Sequence, residues 1–178
     1  MTRSGEGESA PDVTRIVETF ERHGVEYLIV GGVSAQVHGA QRATGDFDCL
    51  PVTTRANLER LAAAMRELGA RLRVEGLSDE QARELPIPLD GAWLANMDIS
   101  TWRTDAGDLD VMTGMPARDG RRRSFADLVP RARRARLGPV SVLVPHLDDI
   151  IASKEWADRP KDREALDELR ALAEADRP

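Results

Sequence analysis

The chain has 178 residues, a formal net charge of −6, 41% hydrophobic and 31% charged residues, and one cysteine. That length suits one domain with a core of its own, and a single cysteine excludes a disulfide framework. The acidic balance excludes attraction of the whole surface to nucleic acid, and no apolar run reaches the ~18–20 residues that span a bilayer.

The N-terminus, MTRSGEGESAP, is polar and lacks the apolar centre of a signal peptide. Residues 1–10 are therefore expected to be a disordered tail and residues 11–178 a single domain, cytoplasmic and without a membrane partner. Asp12 is placed to cap a helix in which Val13, Ile16, Val17 and Phe20 recur at helical spacing, with Gly24 as its stop. Val25 to Val30 reads as a strand that halts at Gly31-Gly32. Val33 to His38 supplies about two turns of helix, and Asp46 to Val52 a second strand containing Cys49, read as a small buried hydrophobe. The Thr53-Thr54 pair can cap a helix over Arg55 to Leu68, whose face is Leu58, Leu61, Ala62, Met65 and Leu68 and whose stop is Gly69.

Arg71 to Val74 is a short strand, and residues 76–97, broken by Pro86 and Pro88, hold a short helix and a loop. Met97 to Thr104 and Asp108 to Thr113 form two strands joined by Asp-Ala-Gly, a hairpin turn. A glycine- and arginine-rich loop leads to a helix near Ser124 to Arg134, and Arg136 to Val144 forms a small strand or hairpin around Gly138-Pro139. Leu147 to Trp156 and Lys161 to Leu172 are two helices separated by Arg159-Pro160, with proline at a first-turn position it tolerates. Helices and strands alternate without a regular βαβ rhythm, so the expected class is α/β (α+β): a mixed sheet flanked by helices, with C-terminal helices over about 147–174.

Asp46 and Asp48 are two apart on a strand and leave it on one face. A divalent cation would relieve their repulsion, and carboxylates with open water positions suit Mg²⁺ when substrate phosphates complete its octahedron. Two solvated acids on an edge strand are the plainer reading. The pair follows Gly31, Gly32 and Ser34 at a strand end that opens a helix. There, glycine lets backbone approach a phosphate and the serine adds a hydroxyl; a tight turn needing positive φ explains the same glycines. GDLDVM supplies Asp108 and Asp110, of which Asp110 is the preferred third carboxylate, as the base for an acceptor hydroxyl, a metal ligand, or both.

Of the 25 basic residues only Lys154 and Lys161 are lysine. A compact point charge is suited to a phosphate chain, so Lys154 is the candidate cation, assisted by Lys161 or Arg159. Between Arg118 and Arg136 eight arginines stand against two acids, Asp119 and Asp127. They are read either as an RNA-binding region or as a solvated face. His23, His38 and His146 have no partner at zinc-ligand spacing. Trp93, Trp102 and Trp156 are read as core or pocket wall, with Trp156 close to Lys154.

The pattern GG-x-S, then H-G-x-x-R-x-T-x-D-x-D, a later LDV carboxylate and K-x-x-x-x-R-x-K-D resembles the polymerase-β-like nucleotidyltransferases. Within them it is most similar to the abortive-infection toxin enzymes (AbiEii-type, MenT-like), from about Val25 to Leu169. The resemblance implies a triphosphate held at Gly32 and Ser34, Mg²⁺ ions (two, with Mn²⁺ as alternative) at Asp46 and Asp48, and Asp110 as third acid. It further implies that Lys154 contacts the nucleotide phosphates, Asp162 orders the lysine or the following helix, and Arg42 and Thr44 brace the loop or reach phosphate. Most of the longer C-terminal helical region of the better-known toxins is missing here.

The expected function is transfer of an NMP from an NTP such as ATP to an acceptor hydroxyl. The first reading is a toxin that modifies tRNA or another target, with a cognate antitoxin as partner. The alternatives are a small-molecule nucleotidyltransferase of the antibiotic-resistance kind and a non-catalytic nucleotide-binding regulatory module.

Overall fold

A computed structural model describes residues 10–175. The helices are α1 (Val13–Arg22), α2 (Gly31–Val37), α3 (Arg55–Glu67), α4 (Asp79–Arg83), α5 (Gly91–Ala95), α6 (Phe125–Leu128), α7 (Leu147–Ala157) and α8 (Pro160–Ala175). The strands are β1 (Tyr27–Val30), β2 (Asp46–Pro51), β3 (Arg71–Leu72), β4 (Ile99–Thr104), β5 (Gly107–Met112), β6 (Met115–Pro116), β7 (Arg122–Arg123), β8 (Arg133–Leu137) and β9 (Val140–Val144). The tail expected over residues 1–10 lies, except for Ala10, outside the described residues.

Five strands form one mixed sheet in the order β1-β2-β5-β4-β3. β2 and β5 run parallel at its centre, whereas β1 on β2, β4 on β5 and β3 on β4 are antiparallel. Alternation along the two central strands sorts their side chains by face. Phe47, Cys49, Leu109 and Val111 point into the main core, where they meet Ile16, Val17 and Phe20 of α1, Leu58, Leu61 and Met65 of α3, and Leu94 of α5. Asp46, Asp48, Asp108 and Asp110 consequently share the opposite face. That face is flanked by a second core of Ala35, Leu147, Ile150, Ile151, Leu166 and Leu169, which packs α7 and α8 against α2. Fully buried Asn57 donates to the carbonyls of Glu26 and Val52 and accepts from the Glu26 N–H, all at 2.8 Å, tying α3 to the far ends of β1 and β2.

Several expected boundaries are corrected. The helix placed near Ser124 to Arg134 is only α6 followed by a 3₁₀ turn over Val129–Arg131, because Pro130 cannot continue an α-helical ladder. The chain then becomes strand at Arg133, three residues earlier than expected, and forms a hairpin with β9 around Gly138-Pro139. Part of the arginine-rich loop is itself a small hairpin, β6 with β7. The region 76–97 holds two short helices instead of one. Thr54 occupies the N-cap of α3, but its side chain makes no capping bond. No helix among the described residues is long and apolar enough to cross a membrane.

Candidate active site

The register of β2 against β5 puts Asp46 opposite Asp108 and Asp48 opposite Asp110. Four carboxylates thus stand as two rungs on neighbouring strands, which are spaced at roughly 5 Å. Only Asp108 has cationic partners within the sheet: Arg73 donates to its Oδ2 at 2.6 Å and Arg103 to its Oδ1 at 3.2 Å. Burial, with repulsion from Asp110 and Asp46, pushes the Asp48 carboxyl up to about 7, against the pull of Lys161 and Lys154. Burial also raises Asp110; the Thr101 hydroxyl, directly across the β4–β5 ladder, opposes this, and Asp46 and Asp108 add to it. Asp110 Oδ1 is buried without a hydrogen-bond partner among the described residues.

The carboxylates open into a cleft of about 590 Å³ whose walls include Gly31, Gly32, Arg42, Thr44, Lys154 and Lys161. Both lysines of the chain therefore reach the same cavity. In the same cleft, the fully buried Asp162 accepts from Lys154 Nζ at 3.2 Å and from Arg159 Nε at 2.6 Å, holding two cations on the cleft wall. Arg159 and Trp156, whose side chains remain more than half exposed, also line the cleft.

The glycine pair is needed for close packing at the turn. Gly31 has φ +63, and a Cβ there would sit 2.1 Å from Asp48 Oδ2; a Cβ on Gly32 would sit 2.4 Å from Thr44 Oγ1. Gly31→Ala should consequently cost about 2 kcal/mol of stability and displace the Asp48 carboxylate. Urea denaturation and a nucleotidyl-transfer assay on the same variant check both effects, with transfer expected to fall more than the loss of folded protein explains. Thr44 donates to the Asp46 carbonyl at 3.2 Å, so it braces the turn. Arg42 pairs with Glu164 of α8 at 2.7 Å, tying the loop before β2 to the C-terminal helix.

Ser34 is placed differently from expectation. It is fully buried among the residues that α2 packs inward, does not line the cleft, and its Oγ has no hydrogen-bond partner among the described residues. The hydroxyl lies behind the glycines and would reach a phosphate only after a shift of the turn. Of the histidines, His38 bonds the Pro145 carbonyl, His23 pairs with Glu67 and His146 caps α7. Cys49 is buried and free, as expected. In the arginine-rich region, Arg118 pairs with Glu155, Arg121 with Asp119, Arg123 with Asp149, and Arg131 with Asp148.

Among the described residues, no three histidine, cysteine or acidic side chains are already gathered as a metal site. The donor set nevertheless fits Mg²⁺, which is characteristically held by one or two carboxylates and completed by water and substrate phosphate. Asp48 is ionised only at a cost, and Asp110 leaves a buried oxygen unspent, so both would gain from a cation.

No protein-family model and no curated protein matches the chain. Solved structures do. The lincosamide antibiotic adenylyltransferase LnuA, lincomycin-bound, superposes at a TM-score of 0.60 with 14% identity, over 90% of this chain and 96% of that one. The antibiotic-resistance factor ANT(2″)-Ia in solution gives 0.55 with 16% identity, over 92% and 88% of the two chains. ANT(2″)-Ia in complex with adenylyl-2″-tobramycin gives 0.54 with 16% identity, over 92% and 93%. The mixed sheet with its flanking and C-terminal helices is thus the nucleotidyltransferase-type fold.

Proposed function

We propose that the protein is a nucleotidyltransferase that moves an NMP from an NTP to an acceptor hydroxyl, within a single domain over residues 11–178. The observation carrying this reading is the pairing of Asp48 with Asp110 across the central parallel strands, in one cleft with Lys154 and Arg159. Asp46 and Asp48, with Asp110 beside them, would hold Mg²⁺. The ion supplies charge neutralisation for the phosphates and for the oxygens that attack and leave.

The chain's own residues then have separate tasks. Lys154, Arg159 and Lys161 draw the triphosphate into the cleft, and Gly31-Gly32 let the turn pack closely against Asp48 and Thr44 at its mouth. Asp110, with its raised proton affinity, takes the proton as the acceptor oxygen bonds to the α-phosphorus. The bond from that phosphorus to the bridging oxygen breaks, and pyrophosphate leaves on the cationic wall.

The acceptor we assign is a small molecule. The likeness to two antibiotic-modifying enzymes over nearly the full length of each chain supports this choice. So does the arginine-rich region, where Arg118, Arg121, Arg123 and Arg131 already have carboxylate partners and so have less charge left for RNA phosphate. The toxin reading, with tRNA as acceptor and an antitoxin as partner, would rest on the remaining arginines, Arg122, Arg133, Arg134 and Arg136.

The test is to incubate the protein with each α-labelled NTP, Mg²⁺ and either total RNA or a small-molecule extract, and to follow the label. Label in small molecules, lost in the Asp46→Ala/Asp48→Ala double variant, is the expected result. Label in tRNA would overturn the acceptor assignment, and full activity of the double variant would overturn the site.

A further inference from the structure

In-line transfer fixes where the acceptor must lie, because attacking and leaving oxygens take opposite sides of the phosphorus. With pyrophosphate on the Gly31 and Lys154 side, the acceptor approaches from the side of Asp110 remote from that wall. The β4–β5 ladder shows what is there. Thr101 stands opposite Asp110, and two residues further along the same face Ile99 stands opposite Met112. Both Ile99 and Met112 line the cleft, and Ile99 is 49% exposed although it is a large aliphatic side chain on a strand. Arg122 of β7 closes this end. Its guanidinium donates to the backbone carbonyls of Gly114 at 2.8 Å and Asp98 at 3.1 Å, so its charge is not cancelled by those partners.

Resting on the nucleotidyltransferase reading, we propose that Ile99, Met112 and Arg122 form the acceptor subsite, and that its ligand is an uncharged or weakly charged hydroxylated small molecule with an apolar face. The apolar face covers Ile99 and Met112, which places a hydroxyl within one strand step of Asp110. Arg122 selects against polycations, because it lines the cleft with Ile99 and Met112 and is paired with no carboxylate among the described residues. Nor does one cation, committed to two carbonyls, provide a track for a nucleic-acid backbone.

The test uses full-length protein carrying labelled methionine methyl groups and backbone amides, followed by NMR. Three probes are titrated in the presence of ATP and Mg²⁺: phenyl β-D-glucoside, the polyamino sugar tobramycin, and total tRNA. The glucoside is expected to move the Met112 methyl signal while the buried core Met65 signal stays in place. Ile99→Glu, at an exposed position that folding tolerates, is expected to weaken that response roughly tenfold through the lost apolar contact. An unmoved Met112 signal, a larger response to tobramycin or tRNA, or an unaffected response in Ile99→Glu overturns the subsite. A Met112 shift saturated by ATP alone also overturns it, by assigning the shelf to the nucleobase. The Gly31 and Gly32 amides report on the nucleotide independently. If none of the four NTPs moves them in the presence of Mg²⁺, the nucleotidyltransferase reading fails, whatever Met112 does.

Discussion

Asp48→Asn is expected to lower nucleotidyl transfer by roughly 10³-fold or more, at several kcal/mol of lost charge stabilisation, and to make the metal-free protein more stable at pH 8. The two effects have one cause. Burial and the neighbouring Asp110 and Asp46 raise the Asp48 carboxyl to about 7, so the folded state binds its proton more tightly than the unfolded chain does. Between about pH 4 and pH 7 the native protein therefore holds more protons, and its stability declines as pH rises through that window before levelling off. Asparagine has no proton to lose, so the variant escapes this decline. A gain of about 2 to 4 kcal/mol at pH 8 follows from 1.36 kcal/mol per unit of pKa difference. Thermal denaturation of metal-free wild type and variant from pH 4 to pH 8 should show stabilities that nearly coincide at pH 4, diverge progressively up to about pH 7 and stay apart above it. Some slope should survive in the variant, because Asp110 is raised too. Mg²⁺ should raise the melting temperature of the wild type at pH 8 and raise that of the variant far less. Equal slopes in the two proteins would show that Asp48 is not the strained carboxylate.

That strain explains why part of the site was legible in the sequence. The alternation in DFD and in GDLDV dictates that Asp46, Asp48, Asp108 and Asp110 oppose Phe47, Cys49, Leu109 and Val111, and the latter four are the buried set. The scarcity of lysine was also informative, since Lys154 and Lys161 reach one cleft. Local pattern cannot say which strands pair or in what register, because both are decided by contacts far apart in the chain. The Asp48–Asp110 rung spans 62 positions, and Thr101 and Ile99 acquire a role only once β4 is registered on β5. Ser34 shows the limit at short range. The apolar spacing starts a helix at Val33, but the helix begins at Gly31 and carries Ser34 into its packed side. In the arginine-rich region, composition suggested a free basic surface. Its compensating acids, Asp148, Asp149 and Glu155, sit on α7, 17 to 37 residues along the chain from the arginines they meet. Charge counting along a segment does not see such partners.

Asp162→Ala should damage the site without removing any group that touches the substrate. The carboxylate is fully buried, and although burial alone would raise it, hydrogen bonds from Arg159 and Lys154 hold it below the usual carboxylate range. Alanine leaves Lys154, largely buried on the cleft wall, without its carboxylate, and frees the exposed Arg159 to swing into solvent. Removing one member of a buried pair costs about 3 to 5 kcal/mol; the lower figure applies here because Arg159 can rehydrate. Both cations act on the triphosphate in the ground state as well as in the transition state, so the effect should fall mainly on nucleotide binding. An increase of roughly 30-fold in KM for the NTP, with a smaller change in kcat, is the expected pattern. Asp162→Asn retains an oxygen acceptor for Lys154 and should recover part of the KM while still lacking the charge that holds Arg159. A purely structural role would lower the amount of folded enzyme and leave KM unchanged in the fraction that folds. Steady-state kinetics on both variants, normalised to folded protein by circular dichroism, separates the two roles. A KM equal to that of the wild type in Asp162→Ala would show that the buried carboxylate supports the fold and not the phosphate wall.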